Sequence, residues 1–139
     1  MARLKAMLDT NILIYIHKSN PPEAIARLRK FKRGEVAVSS VVWAEFSVGL
    51  CKNGIDAPAI EKLIDVLVFD KKAAGVFERL SANKPGRQKG FDRLIAAHAI
   101  SLGVPLVTNN VADFQPYLEE GLVVENWAQP PEVEGEAAQ

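Results

Sequence analysis

Four acidic side chains fall at positions where they could do chemistry. Asp9 opens "DTNILIY" directly after the apolar run that ends at Leu8, and Asp113 comes after the strand-like "PLVT" and the pair Asn109-Asn110, at another expected strand end. Ligands in an open α/β sheet collect outside the carboxyl ends of the strands. Asp is also a favoured helix N-cap, and capping accounts for either residue taken alone. Glu45 lies inside "VVWAEFSVGL", where its neighbours one turn away are Val41, Val42, Val48 and Gly49. Its carboxylate therefore shares an apolar stripe. A buried charge must be neutralised, paired or bound to a cation, and few basic residues flank this one. Asp92 begins "DRLIAAHAISLG" and crowns a face made by Ile95, Ala96 and Ala99, either as a cap or as a ligand; Gly90 before it permits close approach.

A parallel sheet would bring such acids to one end of the molecule, where their mutual repulsion calls for a cation. Hard oxygen ligands without Cys or paired His select Mg²⁺ or Mn²⁺ over zinc. These ions lower the pKa of a bound water, polarise a phosphoryl oxygen and, as a pair about 4 Å apart, stabilise the entering and leaving oxygens of an in-line displacement. That is nuclease or phosphatase chemistry. The sequence has no G-x-x-x-x-G-K-[ST] loop, G-x-G-x-x-G fingerprint or G-x-S-x-G elbow. Ser39 and Ser40 read as the N-cap of the Glu45 helix, His17 and His98 as packing residues, and Trp43, Phe46 and Trp127 as packing or interface residues. Cys51 reads as a small buried hydrophobe.

The elements that must position these acids alternate. "LKAML" is followed by "NILIYIHK", "EVAVSS" by "VVWAEFSVGLCKNG", "DVLVFD" by "KKAAGVFERLSANK", and "VPLVTNN" by "VADFQPYL". Strand-like runs followed by helical ones read as βαβ units on a parallel sheet. "PEAIARLRKF" is expected as a helix with Pro22 in its first turn and Gly34 as its terminator; "APAIEKLIDVL" and "FDRLIAAHAISLG" are expected helices, and "LVVEN" a last strand. One domain over residues 1–128 is expected. Residues 129–139, with two prolines and three glutamates, form an acidic tail expected to fray because it can bury little.

With 139 residues, 48% of them apolar, the chain can bury a core. Its single cysteine allows no internal disulfide and fits a reducing cytoplasm, and no signal peptide or membrane span is expected. The net charge is zero, but all 17 Lys and Arg lie at or before Arg93, together with 10 of the 17 Asp and Glu. Residues 1–93 thus carry +7 (17 − 10) and the remainder −7. Two basic clusters, Arg27-Arg29-Lys30-Lys32-Arg33 and Lys84-Arg87-Lys89-Arg93, could hold phosphates, or could be a solvated helix face and a loop.

"MLDTNILIY", "SSVVWAEFSVG", "FDRLIAAHAISLG" and "LVTNNVADF", in this order, are where the sequence resembles the PIN-domain ribonucleases, and among them the VapC toxins of toxin-antitoxin pairs. The resemblance implies a three-layer α/β/α fold with a central, mostly parallel sheet and Mg²⁺- or Mn²⁺-dependent endonucleolytic cleavage of RNA. It also implies a homodimer, a VapB-like antitoxin whose tail covers the site, and a heterotetramer or larger assembly with it. By position, Asp9, Glu45 and Asp92 resemble the metal-binding acids, with Asn11 as a hydrogen-bonding support. Many relatives have Asp where this chain has Asn110; Asp113 three residues on is the fourth acid expected here, with Thr108 or Asn110 supporting. Structured RNA is the implied substrate, tRNA ahead of ribosomal RNA, with Arg87, Lys89 and Arg93 on its phosphates. Two rival readings are a metal-dependent phosphatase and a non-catalytic module whose acidic pocket receives a basic peptide.

Overall fold

The computed structural model describes residues 3–52, 60, 62–86 and 91–128. Strand β1 (Ala6–Leu8) is buried along its whole length, as expected of a strand covered on both faces. Asp9, in extended conformation, ends the strand and caps helix α1 (Thr10–Lys18), which buries Ile12, Leu13 and Ile16 and closes at Ser19 in left-handed geometry. Helix α2 (Pro22–Leu28) has its proline at the start, where a missing N–H costs nothing. Strand β2 (Val36–Ser39) leads straight into α3 (Ser40–Lys52). After β3 (Asp65–Leu67), Asp70 caps α4 (Lys71–Asn83) by accepting from the Ala73 N–H at 3.0 Å. Helix α5 (Asp92–Leu102), β4 (Leu106–Val107), a 3₁₀ helix (Val111–Glu120) and β5 (Val124–Glu125) complete the described chain.

The five strands lie in the order β3-β2-β1-β4-β5, and every pairing is parallel. Leu8 faces Val38 on one side and Val107 on the other. Right-handed crossovers that run one way from β1 to β3 and the other way from β3 to β5 place the first three helices on one face and the later ones on the other. Helices α1, α2 and α3 accordingly pack together, and α4 and the 3₁₀ helix pack on α5. Met7, Leu8, Val38, Leu106 and Val107 of the sheet meet Ile12, Leu13, Val42, Leu80, Phe114 and Tyr117 in one core. Among the described residues, no helix is long and apolar enough to cross a membrane.

Three expectations change. The second helix stops at Leu28 instead of running on to Gly34; Phe31, beyond its end, stacks on Trp127, and Gly34, at φ 93°, shapes the turn before β2. The segment "VADFQPYL" is 3₁₀ and not α-helical, with Pro116 inside it lacking the N–H that an α-helical ladder would use. Of the expected helix "APAIEKLIDVL", residues 57–59 and 61 lie outside the described residues, and Asp65–Leu67 belong to β3. The tail at 129–139 also lies outside them.

Candidate active site

The strand order reverses at β1, so the crevice beyond its carboxyl end is the topological switch point of the sheet. Asp9 occupies that point. Its N–H continues the ladder to Val107 (2.8 Å), while its carbonyl receives the Ile12 and Leu13 N–H groups of α1. The same turn fixes the carboxylate. Oδ1 accepts from the Thr10 N–H at 2.8 Å; Oδ2 accepts from the Thr108 hydroxyl at 2.8 Å and from Asn11 Nδ2 at 3.2 Å. Asp9 is only 5% exposed. Burial is the main reason its carboxyl is pushed above the ordinary carboxylate range; hydrogen bonds from Thr108 and Thr10 oppose the shift, the Glu45 charge adds to it, and the Asn11 bond opposes it.

Glu45 reaches the site from α3. It is half-buried, and its Oε1 accepts from the Thr10 hydroxyl at 2.9 Å. Thr10 thus holds both acids, one through its N–H and the other through its side chain. Val42 on the Glu45 face is buried as expected, but Val48 is 54% exposed and Gly49 is at the surface, so the stripe is buried only on its amino side. A cavity of about 180 Å³ opens beside Glu45, walled by Ile14, His17, Phe46 and Leu50.

The turn after β4 supplies the supports. Thr108 is fully buried, and its Oγ1 also accepts from Asn11 Nδ2 (3.3 Å) and from the Asn110 N–H (3.0 Å). Asn11 Oδ1 takes the Asn109 N–H at 3.0 Å, and Asn109 Nδ2 donates to the Tyr15 hydroxyl at 2.9 Å. Asn11, Thr108 and Asn110 therefore lie with Asp9 in one hydrogen-bonded assembly. Asp113 is exposed in the first turn of the 3₁₀ helix, with its N–H on the Asn110 carbonyl. Asp92 is half-buried in the first turn of α5, over the buried Ile95, Ala96 and Ala99; the capping position itself is Phe91.

The expected gathering of three acids is not complete. Among the described residues, no three His, Cys, Asp or Glu side chains stand close enough together to hold an ion. Asp9 and Glu45 are the pair brought together, and no basic side chain forms an ion pair with either among the described residues. Such a pair suits Mg²⁺, which is commonly held by one or two carboxylates with waters and substrate phosphates completing its shell. A buried carboxylate with a second acid beside it and no base is the donor chemistry that fits a hard cation.

Of the expected phosphate-binding residues, Arg93 is placed differently from expectation. Arg93 is buried, 6% exposed, and its guanidinium donates to the Ser81 hydroxyl, the Lys84 carbonyl and the Tyr117 hydroxyl. It ties α4, α5 and the 3₁₀ helix together, and a guanidinium held inside does not meet RNA phosphates. Lys84 pairs with Glu119. Arg87 and Lys89 lie outside the described residues. The Arg29–Arg33 cluster sits at the amino end of the sheet, where Arg33 pairs with Asp65 at the start of β3 (3.1 Å), away from Asp9.

Ser39 Oγ accepts from the Val41 N–H, capping α3 as expected, and also contacts His98 Nδ1 at 2.8 Å. Both residues are buried, which makes this a packing contact with no access for substrate. The residue the sequence reading overlooked is Thr10. Nothing local in "DTN" shows that its hydroxyl meets a glutamate 35 positions away.

The PIN domain family matches residues 6–115, a span that includes Asp9, Glu45, Asp92 and Asp113. Ribonuclease VapC2 of Haemophilus influenzae is 36% identical over 133 residues, covering 89% of this chain and 98% of that protein. The tRNA(fMet)-specific endonuclease VapC of Shigella flexneri is 37% identical over 134 residues, covering 90% and 99%. Among solved structures, VapBC2 from Rickettsia felis, bound to a DNA fragment from its promoter, superimposes with a TM-score of 0.75 at 29% identity, covering 89% of this chain and 99% of that one. DNA-bound VapBC from Salmonella typhimurium gives 0.72 at 27% identity, covering 90% and 99%.

Proposed function

The chain belongs to the PIN-domain family, among its VapC ribonucleases, and from that premise we propose that it is a divalent-metal-dependent endoribonuclease acting as the toxin of a toxin-antitoxin pair. The observation that carries this reading is the buried Asp9 carboxylate at the switch point, joined to Glu45 through Thr10. Asp9 and Glu45, with Asp92 as the third acid, are the residues that would hold Mg²⁺ or Mn²⁺. When bound, such an ion activates a water and polarises the phosphoryl oxygens of the scissile phosphodiester.

The protein's own groups do the rest. Thr108 and Asn11 hold the Asp9 carboxylate in one orientation, which matters because outer hydrogen-bond partners set how ligand oxygens point. Thr10 sets the spacing of Asp9 and Glu45. Asn110, on the turn after β4, and Asp113, in the first turn of the 3₁₀ helix, are proposed to support the incoming water. Arg87 and Lys89 are proposed on flanking RNA phosphates, and Arg93 is withdrawn from that role by its burial.

Hydrolysis would leave 5′-phosphate and 3′-hydroxyl ends. A Shigella flexneri relative that matches most of the chain is a tRNA(fMet)-specific endonuclease, which favours tRNA over ribosomal RNA as substrate. The solved relatives are VapBC assemblies; a VapB-like antitoxin is accordingly the proposed partner, a basic residue of its tail entering the Asp9–Glu45 pocket, and the toxin is proposed to be a homodimer.

The test is incubation of the purified chain with total tRNA and ribosomal RNA, with Mg²⁺ or chelator, followed by sequencing of the released ends. Cleavage confined to tRNA, abolished by chelator and by Asp9→Asn or Asp92→Asn, is the expected result. Cutting that survives Asp92→Asn would remove that residue from the site. Phosphate release from small esters without RNA cleavage would replace the reading with a phosphatase.

A further inference from the structure

The basic run that follows α2 borders a second concavity. A groove of about 460 Å³ opens at the amino end of the sheet, opposite Asp9. Its floor is apolar, with Ile25, Leu28, Phe31 and Leu63, and Arg29, Lys32, Arg33 and Lys62 stand around it. Leu63 is 59% exposed. Arg33 is engaged with Asp65, whereas Arg29, Lys32 and Lys62 are exposed and form no ion pair with an acid among the described residues. The groove is thus an apolar floor bordered by exposed positive charge, with Glu35 beside Lys32 and Asp65 beside Arg33.

The chain itself leads to it. Trp127 is buried and stacks on Phe31, a residue of the floor, with centroids 5.3 Å apart and planes at 15°. Arg27 of α2 donates to the carbonyl of Asn126. The described chain, which ends at Ala128, therefore ends beside the groove. The segment from there to Gln139 carries Glu132, Glu134 and Glu136 around Val133, and contains no base. At roughly 3.3 Å per extended residue, Glu132 can stand up to ~13 Å beyond Ala128.

We propose that the acidic segment 129–139 seats on this groove of its own chain, its glutamates meeting Arg29, Lys32 and Lys62. Each exposed ion pair is weak. A tether that begins at the groove wall supplies a high effective concentration, so weak pairs suffice. Pro130 and Pro131 restrict the backbone and reduce the entropy lost on seating. Salt is expected to weaken the seating. This goes beyond the nuclease reading and does not depend on it.

Amide NMR spectra of the full chain, compared with a Glu132→Gln, Glu134→Gln, Glu136→Gln variant, test the proposal, since these substitutions lie outside the packed core. The amides of Arg29, Lys32 and Leu63 are expected to shift between the two at low salt, independently of protein concentration, and to coincide at high salt. Lys32→Glu is expected to move the tail amides of the wild-type segment toward their high-salt positions. Groove amides unmoved by the triple substitution, or shifts confined to another face, would overturn the proposal. Shifts that grow with protein concentration would overturn it too, by making the occupant a second copy's tail.

Discussion

Burial raises the Asp9 carboxyl, and the Glu45 charge adds to that shift. A group whose pKa is higher folded than unfolded stabilises the fold below its unfolded value, here 3.8, and that contribution disappears as pH rises through the folded value. Ionisation of Asp9 without metal is therefore a burden on the fold. Asp9→Asn is expected to melt no lower than wild type in chelator at pH 7, while Mg²⁺ raises the wild-type melting temperature and leaves the variant's unchanged; paired thermal scans decide this. Thr10 offers a second test. Thr10→Val removes the hydroxyl that orients Glu45 and is expected to lower RNA cleavage about 10- to 100-fold, with Thr10→Ser restoring most of it. The acids themselves were legible in the sequence, because an Asp at a strand end and a Glu on an apolar stripe are each out of place without a task. Thr10 and Thr108 were less so, since a hydroxyl takes its meaning from a partner, and Thr108 meets Asn11 across 97 positions of sequence.

At the scale of elements, Gly103 closes α5 at φ 68°. Gly103→Ala is expected to cost about 1 kcal/mol, read as a lower denaturation midpoint, because a Cβ is strained in that region. Arg93 shows how tertiary placement changes a residue's role. In sequence it belongs to a basic cluster; in the fold it reaches from α5 to Ser81 and Lys84 and to Tyr117 of the 3₁₀ helix. Arg93→Met is expected to destabilise the protein by about 1–3 kcal/mol, the cost of leaving buried partners unsatisfied. The salt dependence of RNA binding should stay as in wild type; a shallower slope would return Arg93 to the phosphate surface. Strand and helix alternation was readable from periodicity, but the early end of α2 was not, and Phe31 just beyond it meets a tryptophan at the far end of the described chain.

For the whole molecule, the pH response runs opposite to that of Asp9. His98 lies buried against Ser39 and Phe69, and burial lowers its pKa below the ordinary 6.5, with the Asp70 charge opposing the shift. A histidine kept neutral in the fold is protonated first in the unfolded chain, so stability falls as pH drops through 6.5 toward the folded value and then levels off. Denaturation midpoints measured between neutral and mildly acid pH are expected to fall for wild type and to fall less for His98→Gln. What the sequence determined by itself was the kind of molecule: apolar periodicity dictated parallel strands with helices between them, and misplaced acids pointed to hard-cation chemistry. Only the tertiary structure decided which residues meet. The crossovers from β1 bring Asp9, Glu45 and Thr108 to one switch point, turn Arg93 inward and carry the α2 basic run to the opposite end. Local pattern fixes which face of an element is buried, but the partner across that face is set by how the chain returns.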